Sequence, residues 1–585
     1  MNRGALLVAS CASVSHTFMA QSGFAISAAS QELKNLNIFL HLCGLDSPGR
    51  PTPMIARKRF AVPAVILGSL LAGALYTWFA GEDINWDWQN YHEYGAFALL
   101  NGRFEVDVAP GGIQTFLNPL AYLPAYLLRH HVAAPYWGML LGAIHGLNLA
   151  LIYWLSRSVL GGAASIWAVL SSLVIAAFGP MTLSEVGTSF ADILTALPII
   201  AGVTLILSDG EPQENRRQNH FLVAGLLIGA AVGLKLTNSI FLVGAGASLL
   251  FAARPLAAMV SFAAGSVAGA LVTGGAWAWT LWQQFGNPVF PFYNTVFRSA
   301  EAPLQSIVDR RFLPHGLWDA AAYPFYWLIG DHRSSEWAFR DPRFAVILVL
   351  LALVAATSLL RKVGVFRTRD KQFLLFFAVT YGIWLLTFAI QRYAIALELM
   401  TAPLIVLLLS RLMEALDRDR ARLRPWSVAA ISTLIVAVAI ATWSRPADWL
   451  RRPWSDPYRP QLAGSLLTPA TYLMLEKPIG YVAPLLPATS RLYQLSDIVM
   501  PIVPGGLLDH RIRWGLAHPL AGGVWALHLR GRLPIRDEPP RVELLDAYGL
   551  MLDQSRACER FAGADGIDVE ACHLVPKSQA SFKPS

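Results

Sequence analysis

Charged side chains are scarce in this chain. Lys, Arg, Asp and Glu make up 14% of its 585 residues, against about a quarter in a soluble globular protein, which excludes an ordinary soluble enzyme. Cysteine is nearly absent too: Cys11, Cys43, Cys558 and Cys572 are the whole set, and no two of them form a CxxC, so a zinc module is not expected. There is no GxxxxGK[ST], no dinucleotide-binding glycine pattern, no HExxH and no GxSxG, so this chain alone does not drive transport with ATP. The two-fold internal similarity of many transporters is also missing. The net charge of +8 does not imply a nucleic-acid partner, because the arginines sit at the ends of apolar runs rather than on one clustered face.

Apolar sequence fills the space. Hydrophobic residues are 55% of the chain and the mean hydropathy is +0.45. At roughly 20 apolar residues per crossing, about eleven spans are predicted. They centre on 60–80, 136–156, 159–178, 189–208, 220–236, 239–253, 256–282, 344–360, 372–390, 393–411 and 426–443. A further half-buried helix is expected at 114–128, where prolines favour an interfacial segment. The fold class is therefore mainly α: a polytopic transmembrane bundle over 57–444, with a small α+β domain over 445–585. Within that domain, SRLYQLSDIVMPIVP and GGVWALHLRG read as strands, and VELLDAYGLMLDQSRACERF reads as an amphipathic helix. Residues 1–56 are expected to be a disordered extension, with Met54 offering a second, basic start to the first span.

Lysine and arginine bias sets the orientation. Arg57 to Arg59, Arg216 and Arg217, the run from Arg361 to Lys371, and Arg411 to Arg424 all fall on one side of the span count. That side is expected to be the cytoplasm of a bacterial inner membrane. The N-terminus then lies inside, and the 81–135 and 283–343 loops and the C-terminal domain face the periplasm. In that oxidising setting Cys558 and Cys572 are a candidate disulfide.

Ionisable residues at span ends mark a cavity more often than lipid. The first outer stretch, GEDINWDWQNYHEYGAFALLNGR, carries Asp83, Asp87, Tyr91 and His92. A helix over 83–100 would set Asp83 and Asp87 on one face, where a carboxylate could act as a base or hold a divalent cation. A helix cap and an aromatic interface belt would explain the same residues. SEVGTSFAD places Glu185 and Asp192 at the next outer end, and GLKLTNS places Lys235 at another. Lys235 suits a phosphate, or it snorkels to the interface. In the third outer region SEWAFRDPRF brings Glu336 and Arg340, and Arg392 stands in the short turn IQRY. These arginines could clamp a phosphate or form structural ion pairs.

Taken together, DWQNYHEYGAFALLNGR with GGIQTFLNPL, then SEVGTSFAD, GLKLTN, FGNPVFPFYN and RDPR resemble the C-type superfamily of membrane glycosyltransferases, in its family-87/39-like bacterial branch. The resemblance covers spans one to eight. It implies a polyprenyl-phosphate-linked sugar as donor and an envelope glycan, lipid or protein as acceptor, on the outer face. It also implies that the acid of the first outer loop, Asp87 with Asp83 as substitute, is catalytic. Tyr91, His92, Glu185, Asp192, Lys235, Arg340 and Arg392 are then the expected substrate-binding residues. No resident cofactor is implied beyond a divalent cation (Mg or Mn) as an open alternative. Relatives carry a glutamate after this aspartate, where this chain has Trp88. A non-catalytic flippase of lipid-linked glycans, or an envelope scaffold, would fit the same hydropathy.

Overall fold

The computed structural model describes residues 53–161, 164–208, 214–305, 307–416, 425–455, 458, 460–497, 499–530 and 541–580. All but the last four residues of the extension expected over 1–56 lie outside these, as do Arg418, Arg420, Arg422 and Arg424.

The apolar runs become helices at the expected places. They are α1 (Pro53–Ala80), then two short helices of the first outer region, α2 (Glu93–Leu100) and α3 (Leu123–His131), then α4 (Tyr136–Leu160), α5 (Ile166–Ala177), α6 (Ala191–Leu207), α7 (Glu214–Leu234), α8 (Ser239–Ser248) and α9 (Pro255–Phe285). After the third outer region's α10 (Leu317–Ile329) come α11 (Arg343–Arg361), α12 (Thr368–Thr387), α13 (Ile395–Leu416) and α14 (Pro425–Trp443). Five stretches, in α1, α4, α9, α11 and α13, are long and apolar enough to cross a membrane by length and composition. Shorter apolar helices or helix portions fill five of the remaining expected positions, and α12 fills the sixth. The chain is a multi-pass helical membrane protein.

Small residues set the closest helix pair. Along α7, Gly225, Gly229 and Gly233 recur every fourth position. Side chains there would fall on the α9 backbone at Phe262, Ser266 and Ala270. Gly265 and Gly269 of α9 meet the α7 backbone in return. In lipid, where burial of apolar surface drives little, such close approach supplies the packing energy. α13 forms the bundle's centre, with Ile395 to Leu408 buried almost without interruption.

One end of the bundle is stitched by the basic residues that the charge bias singled out. Arg411 pairs with Asp370 at 2.6 Å and with Glu414 at 2.8 Å. Arg361 Nη1 donates to the carbonyl of Leu416 (2.6 Å), and Arg369 Nη1 to that of Ser158 (2.8 Å). The ends of α4, α11 and α13 and the start of α12 thus share one face of the molecule. The acidic and aromatic loops lie at the other.

The C-terminal part is α+β. A six-stranded sheet runs β4-β3-β5-β8-β6, with β7 paired to β8. Two two-residue strands elsewhere, β1 (Glu82–Asp83) and β2 (Arg451–Arg452), pair with each other. The sheet strands are β3 (Thr471–Met474), β4 (Arg491–Gln494), β5 (Val524–Arg530), β6 (Leu550–Leu552), β7 (Glu559–Ala562) and β8 (Asp568–Pro576). β3 lies parallel to β4 and β5, and β8 antiparallel to β5, β6 and β7. The expected strands at 491 and 524 are β4 and β5. The amphipathic helix expected over 542–561 does not form. A 3₁₀ segment ends at Gly549, which adopts the left-handed φ of +65°, and β6 and β7 follow because β8 offers them ladder partners. The Cys558–Cys572 disulfide closes the unit.

The first outer stretch is the joint between bundle and sheet. Val108 bridges to Tyr493 of β4, with Val108 N donating to Leu492 O and Gln494 N to Val108 O, both at 2.9 Å. Asn118 Nδ2 donates to the carbonyls of Gly233 and Thr273, both 2.8 Å, tying the same stretch to the ends of α7 and α9. The helix expected at 114–128 starts only at Leu123. Asn118 and Pro119 open a 3₁₀ turn instead, in which Asn118 Oδ1 accepts from Leu120 N at 3.1 Å.

Candidate active site

Asp83 stands at a corner of this joint, and its β pairing with Arg451 takes it off any helix shared with Asp87. Its Oδ2 accepts from Ser189 N (2.8 Å) and Ser189 Oγ (2.9 Å). Its Oδ1 accepts from Asn85 N (3.1 Å) and Asn85 Nδ2 (2.6 Å). With four donors and no exposure, Asp83 is a fastening between the first loop and the α6 entry. The expectation that it could stand in for Asp87 at the reaction centre is corrected accordingly.

Asp87 begins a π-helical turn, Trp88–His92, closed by the bond from Glu93 N to Trp88 O. π turns are rare and occur often at functional sites, because the inserted residue re-aims the side chains that follow. Here Tyr91 and His92, four and five residues on, come back beside Asp87. Tyr91 packs edge-on to His92 with centroids 4.4 Å apart, and Tyr122 stacks on the imidazole at 4.2 Å. Trp88, in the place of the relatives' second acid, turns the other way. Its Nε1 donates to Glu93 Oε2 at 2.9 Å, and Arg129 lies 4.1 Å over its ring.

Arg392 comes from the 3₁₀ turn Gln391–Ala394 between α12 and α13, which is anchored by the bond from Gln391 N to Ser334 O at 2.7 Å. Its Nη1 donates to Asp87 Oδ2 in an ion pair across 305 residues of sequence. Phe190, Tyr393 and Trp449 surround the guanidinium at 5.2, 5.5 and 5.7 Å. Burial pushes the Asp87 carboxyl up, but Arg392, then His92 and Lys235, more than offset it and hold the group below the ordinary aspartate range. Arg392 Nε and both amide atoms of Gln391 are buried without a partner. Orphaned polar groups of that kind are uncommon and suit an incoming acceptor oxygen.

A second pair adjoins the first. Lys235 sits where α7 breaks before α8, and its Nζ donates to both oxygens of Asp192 at 2.6 Å, with the Tyr393 ring 4.6 Å away. Glu185 lies beside Asp192. Its Oε2 accepts from Ile193 N at 3.2 Å and its Oε1 has no partner. Burial, reinforced by Asp192, raises the Glu185 carboxyl well above the usual range, which favours its neutral form. Asp87, Tyr91, His92, Glu185, Asp192, Lys235 and Arg392 thus form one buried cluster. Arg340 does not join it: the residue is exposed, its backbone bridges to Arg445, and its guanidinium faces Trp443 at 5.7 Å.

Sequence reasoning missed four contributors. Tyr122 and Tyr393 wall the cluster, and an isolated tyrosine gives no signal. Ser189 was hidden inside SEVGTSFAD. Glu398, in the first turn of α13, accepts from Met181 N (3.1 Å) and Thr182 N (2.8 Å) and pairs with Arg343 at 3.3 Å. A carboxylate inside an apolar span was the signal available for it. The cluster is a poor fit for Mg or Mn: Asp87 and Asp192 each face a cation and Glu185 Oε2 accepts from Ile193 N, so the set offers few of the open carboxylate oxygens a divalent ion takes.

The crystal structure of ArnT from Cupriavidus metallidurans bound to undecaprenyl phosphate superposes with a TM-score of 0.51, covering 88% of this chain and 97% of that one at 11% identity, a likeness of fold. Residues 115–390, just under half of the chain, match the model of glycosyltransferase family 87. No curated protein matches.

Proposed function

We propose that this membrane glycosyltransferase moves a sugar from a polyprenyl-phosphate carrier to an envelope glycan, lipid or protein on the outer face of the bacterial inner membrane. The observation that carries the reading is the buried Asp87–Arg392 pair, with a cationic Lys235 beside it and an orphaned Arg392 Nε. The undecaprenyl phosphate held by ArnT supports the donor class. The Cys558–Cys572 disulfide supports an oxidising, periplasmic setting for the sheet domain.

In the proposed reaction an acceptor oxygen attacks the anomeric carbon as its bond to the lipid phosphate breaks, inverting that centre. Arg392, through Nε, and Lys235 stabilise the negative charge that grows on the departing phosphate, the kind of preorganised electrostatics that contributes most to many catalysed steps. Asp87 faces the positive charge that develops on the sugar ring and orients the acceptor. The apolar cavity of about 390 Å³ between α10, α11, α12 and α13, lined by Phe344, Leu351, Phe377 and Tyr381 among others, offers room for part of a lipid chain.

Deleting the gene tests this directly. Polyprenyl-phosphate sugar should accumulate in the membrane and one envelope glycan should lose a residue. Wild type should reverse both effects, and Asp87→Asn neither. An unchanged lipid-linked pool in the deletion strain would point instead to a scaffold, and a pool displaced between leaflets without glycan loss to a flippase.

A further inference from the structure

The cluster contains a group that the reaction outlined above leaves unassigned, and its hydrogen-bond chain fixes where its proton sits. Asp83 is a carboxylate with donors on both oxygens, and one of them is the Ser189 hydroxyl. A hydroxyl has one proton, so Ser189 spends it on Asp83 and offers only lone pairs to its other neighbours. Asn85 Nδ2 takes one of these at 3.2 Å. His92 Nδ1, 2.8 Å from the same oxygen, must therefore be the donor. The imidazole is locked as the Nδ1–H tautomer, leaving Nε2 with a bare lone pair. Among the described residues no protein group hydrogen-bonds Nε2.

The setting preserves that state. Tyr122 stacks on one face at 4.2 Å, with Tyr91 and Phe190 edge-on at 4.4 and 5.7 Å. Burial drives the imidazole down to about 3, against the opposing pull of Asp87 and Asp83. That shift favours the neutral ring, with its free nitrogen an acceptor in the resting site. Glu93 and Arg129 border the same crevice as His92, Tyr122 and Ser189, which is too tight for a water molecule. Glu93 in turn pairs at 2.6 Å with His130, whose side chain is 36% exposed. A carboxylate that fixes a histidine tautomer through a hydroxyl is the orienting logic of a catalytic triad, with the serine as linker rather than nucleophile.

We infer that His92 Nε2 is the general base of the transfer, oriented by Ser189 and Asp83, and that the acceptor nucleophile is an alcohol, such as a sugar hydroxyl, rather than a phosphate or carboxylate. This rests on the glycosyltransferase reading above. An anionic acceptor carries its own lone pair and needs no base, so a tautomer-locked imidazole in the cluster would have no task. With an alcohol the step balances. The O–H proton passes to Nε2, the oxygen pair bonds to the anomeric carbon, and the carbon–oxygen bond to the lipid phosphate leaves its pair on that phosphate.

The test uses full-length protein in lipid nanodiscs, undecaprenyl-phosphate-linked sugars extracted from bacterial membranes as donor, and two acceptors of equal chain length, an octyl glycoside and octyl phosphate. Wild type should glycosylate the octyl glycoside and leave octyl phosphate untouched. His92→Asn, whose amide N–H can still reach Ser189, should lose roughly a hundredfold or more in rate with its donor KM within threefold. Imidazole in the buffer should restore His92→Ala at least tenfold, with more basic substituted imidazoles restoring more. Histidine-labelled ¹⁵N NMR on the same nanodiscs should show a neutral Nδ1–H signal that vanishes in His92→Asn. Transfer to octyl phosphate alone, a His92→Asn enzyme within threefold of wild type, or an Nε2–H tautomer overturns the inference and leaves the glycosyltransferase reading standing. Wild type inert toward both acceptors overturns the reading itself, and the inference with it.

Discussion

Arg392 and Asp87 are each about nine-tenths buried, so neither charge tolerates the loss of the other. Arg392→Gln should destabilise the fold by about 3–5 kcal/mol, the cost of an uncompensated buried carboxylate, and Asp87→Asn added to it should recover most of that. Thermal unfolding of the two single variants and the double variant reads the coupling, and additive losses would show that the pair is not coupled. Glu185 makes a prediction of opposite kind. Its folded-state value is raised, so its contribution to stability is whole below the unfolded value, about pH 4.3, and declines as pH climbs toward the raised folded value. Glu185→Gln should remove that decline, giving a flatter melting profile between pH 5 and pH 8 as measured in detergent. At this scale much was readable from sequence: six of the residues that meet were picked out by being ionisable at span ends. Arg340 satisfied the same criterion and serves structure instead, and Asp83 acts through Ser189 rather than at the reaction centre. Hydrogen-bond saturation by Ser189 and Asn85 separates Asp83 from Asp87, and no pattern of residue types encodes it.

The elements followed hydrophobic periodicity closely where lipid enforces it and loosely where it does not. Every expected span coincides with a helix, because a backbone in hydrocarbon must satisfy its own hydrogen bonds. The failures lie outside. The stretch from Asp83 to Leu100 splits into β1, a π turn and α2 because Arg451 and Arg452 supply a strand partner from far along the chain. The amphipathic pattern over 542–561 yielded to strand pairing for a similar reason. Glycine spacing was an unused signal. Gly229 meets the Ser266 backbone, whereas Gly246, in α8, meets nothing within 4 Å. Gly229→Ala should therefore cost about 1–3 kcal/mol by forcing α7 from α9. Gly246→Ala should be neutral or stabilising by up to about 1 kcal/mol through helix propensity. Melting temperatures of the two variants, moving in opposite directions or not, decide the point.

For the molecule as a whole, two bodies meet over the cluster. The bundle contributes Lys235, Asp192 and Arg392, and the joint beneath the sheet contributes Asp87 and His92. The sheet domain therefore acts on the reaction by holding the first loop: Leu492 N donates to Asp107 Oδ1 at 2.9 Å, and Arg103, itself paired with Asp107, donates to the carbonyls of Ala488 and Ser490. Opening the Cys558–Cys572 crosslink, which closes a loop of 14 residues' separation, should lower the domain's stability by about 2–3 kcal/mol. Activity at low temperature should be largely retained, since the hydrogen bonds and ion pairs that build the cluster run to none of the residues of β7 or β8. Limited proteolysis with and without reductant measures this. Sequence alone indicated that an outer domain existed, but not that it completes the site, because the contacts between 103–118 and 488–494 join segments almost 400 residues apart.

Asp87 serves chemistry in the proposed glycosyl transfer from a lipid phosphate. The most direct measurement is single-turnover transfer by purified protein in nanodiscs, supplied with undecaprenyl-phosphate-linked sugars and comparing wild type with Asp87→Asn at matched folding and donor occupancy. Release of undecaprenyl phosphate should fall by at least a hundredfold in the variant, with donor binding little changed. Equal release by the two proteins would contradict the claim.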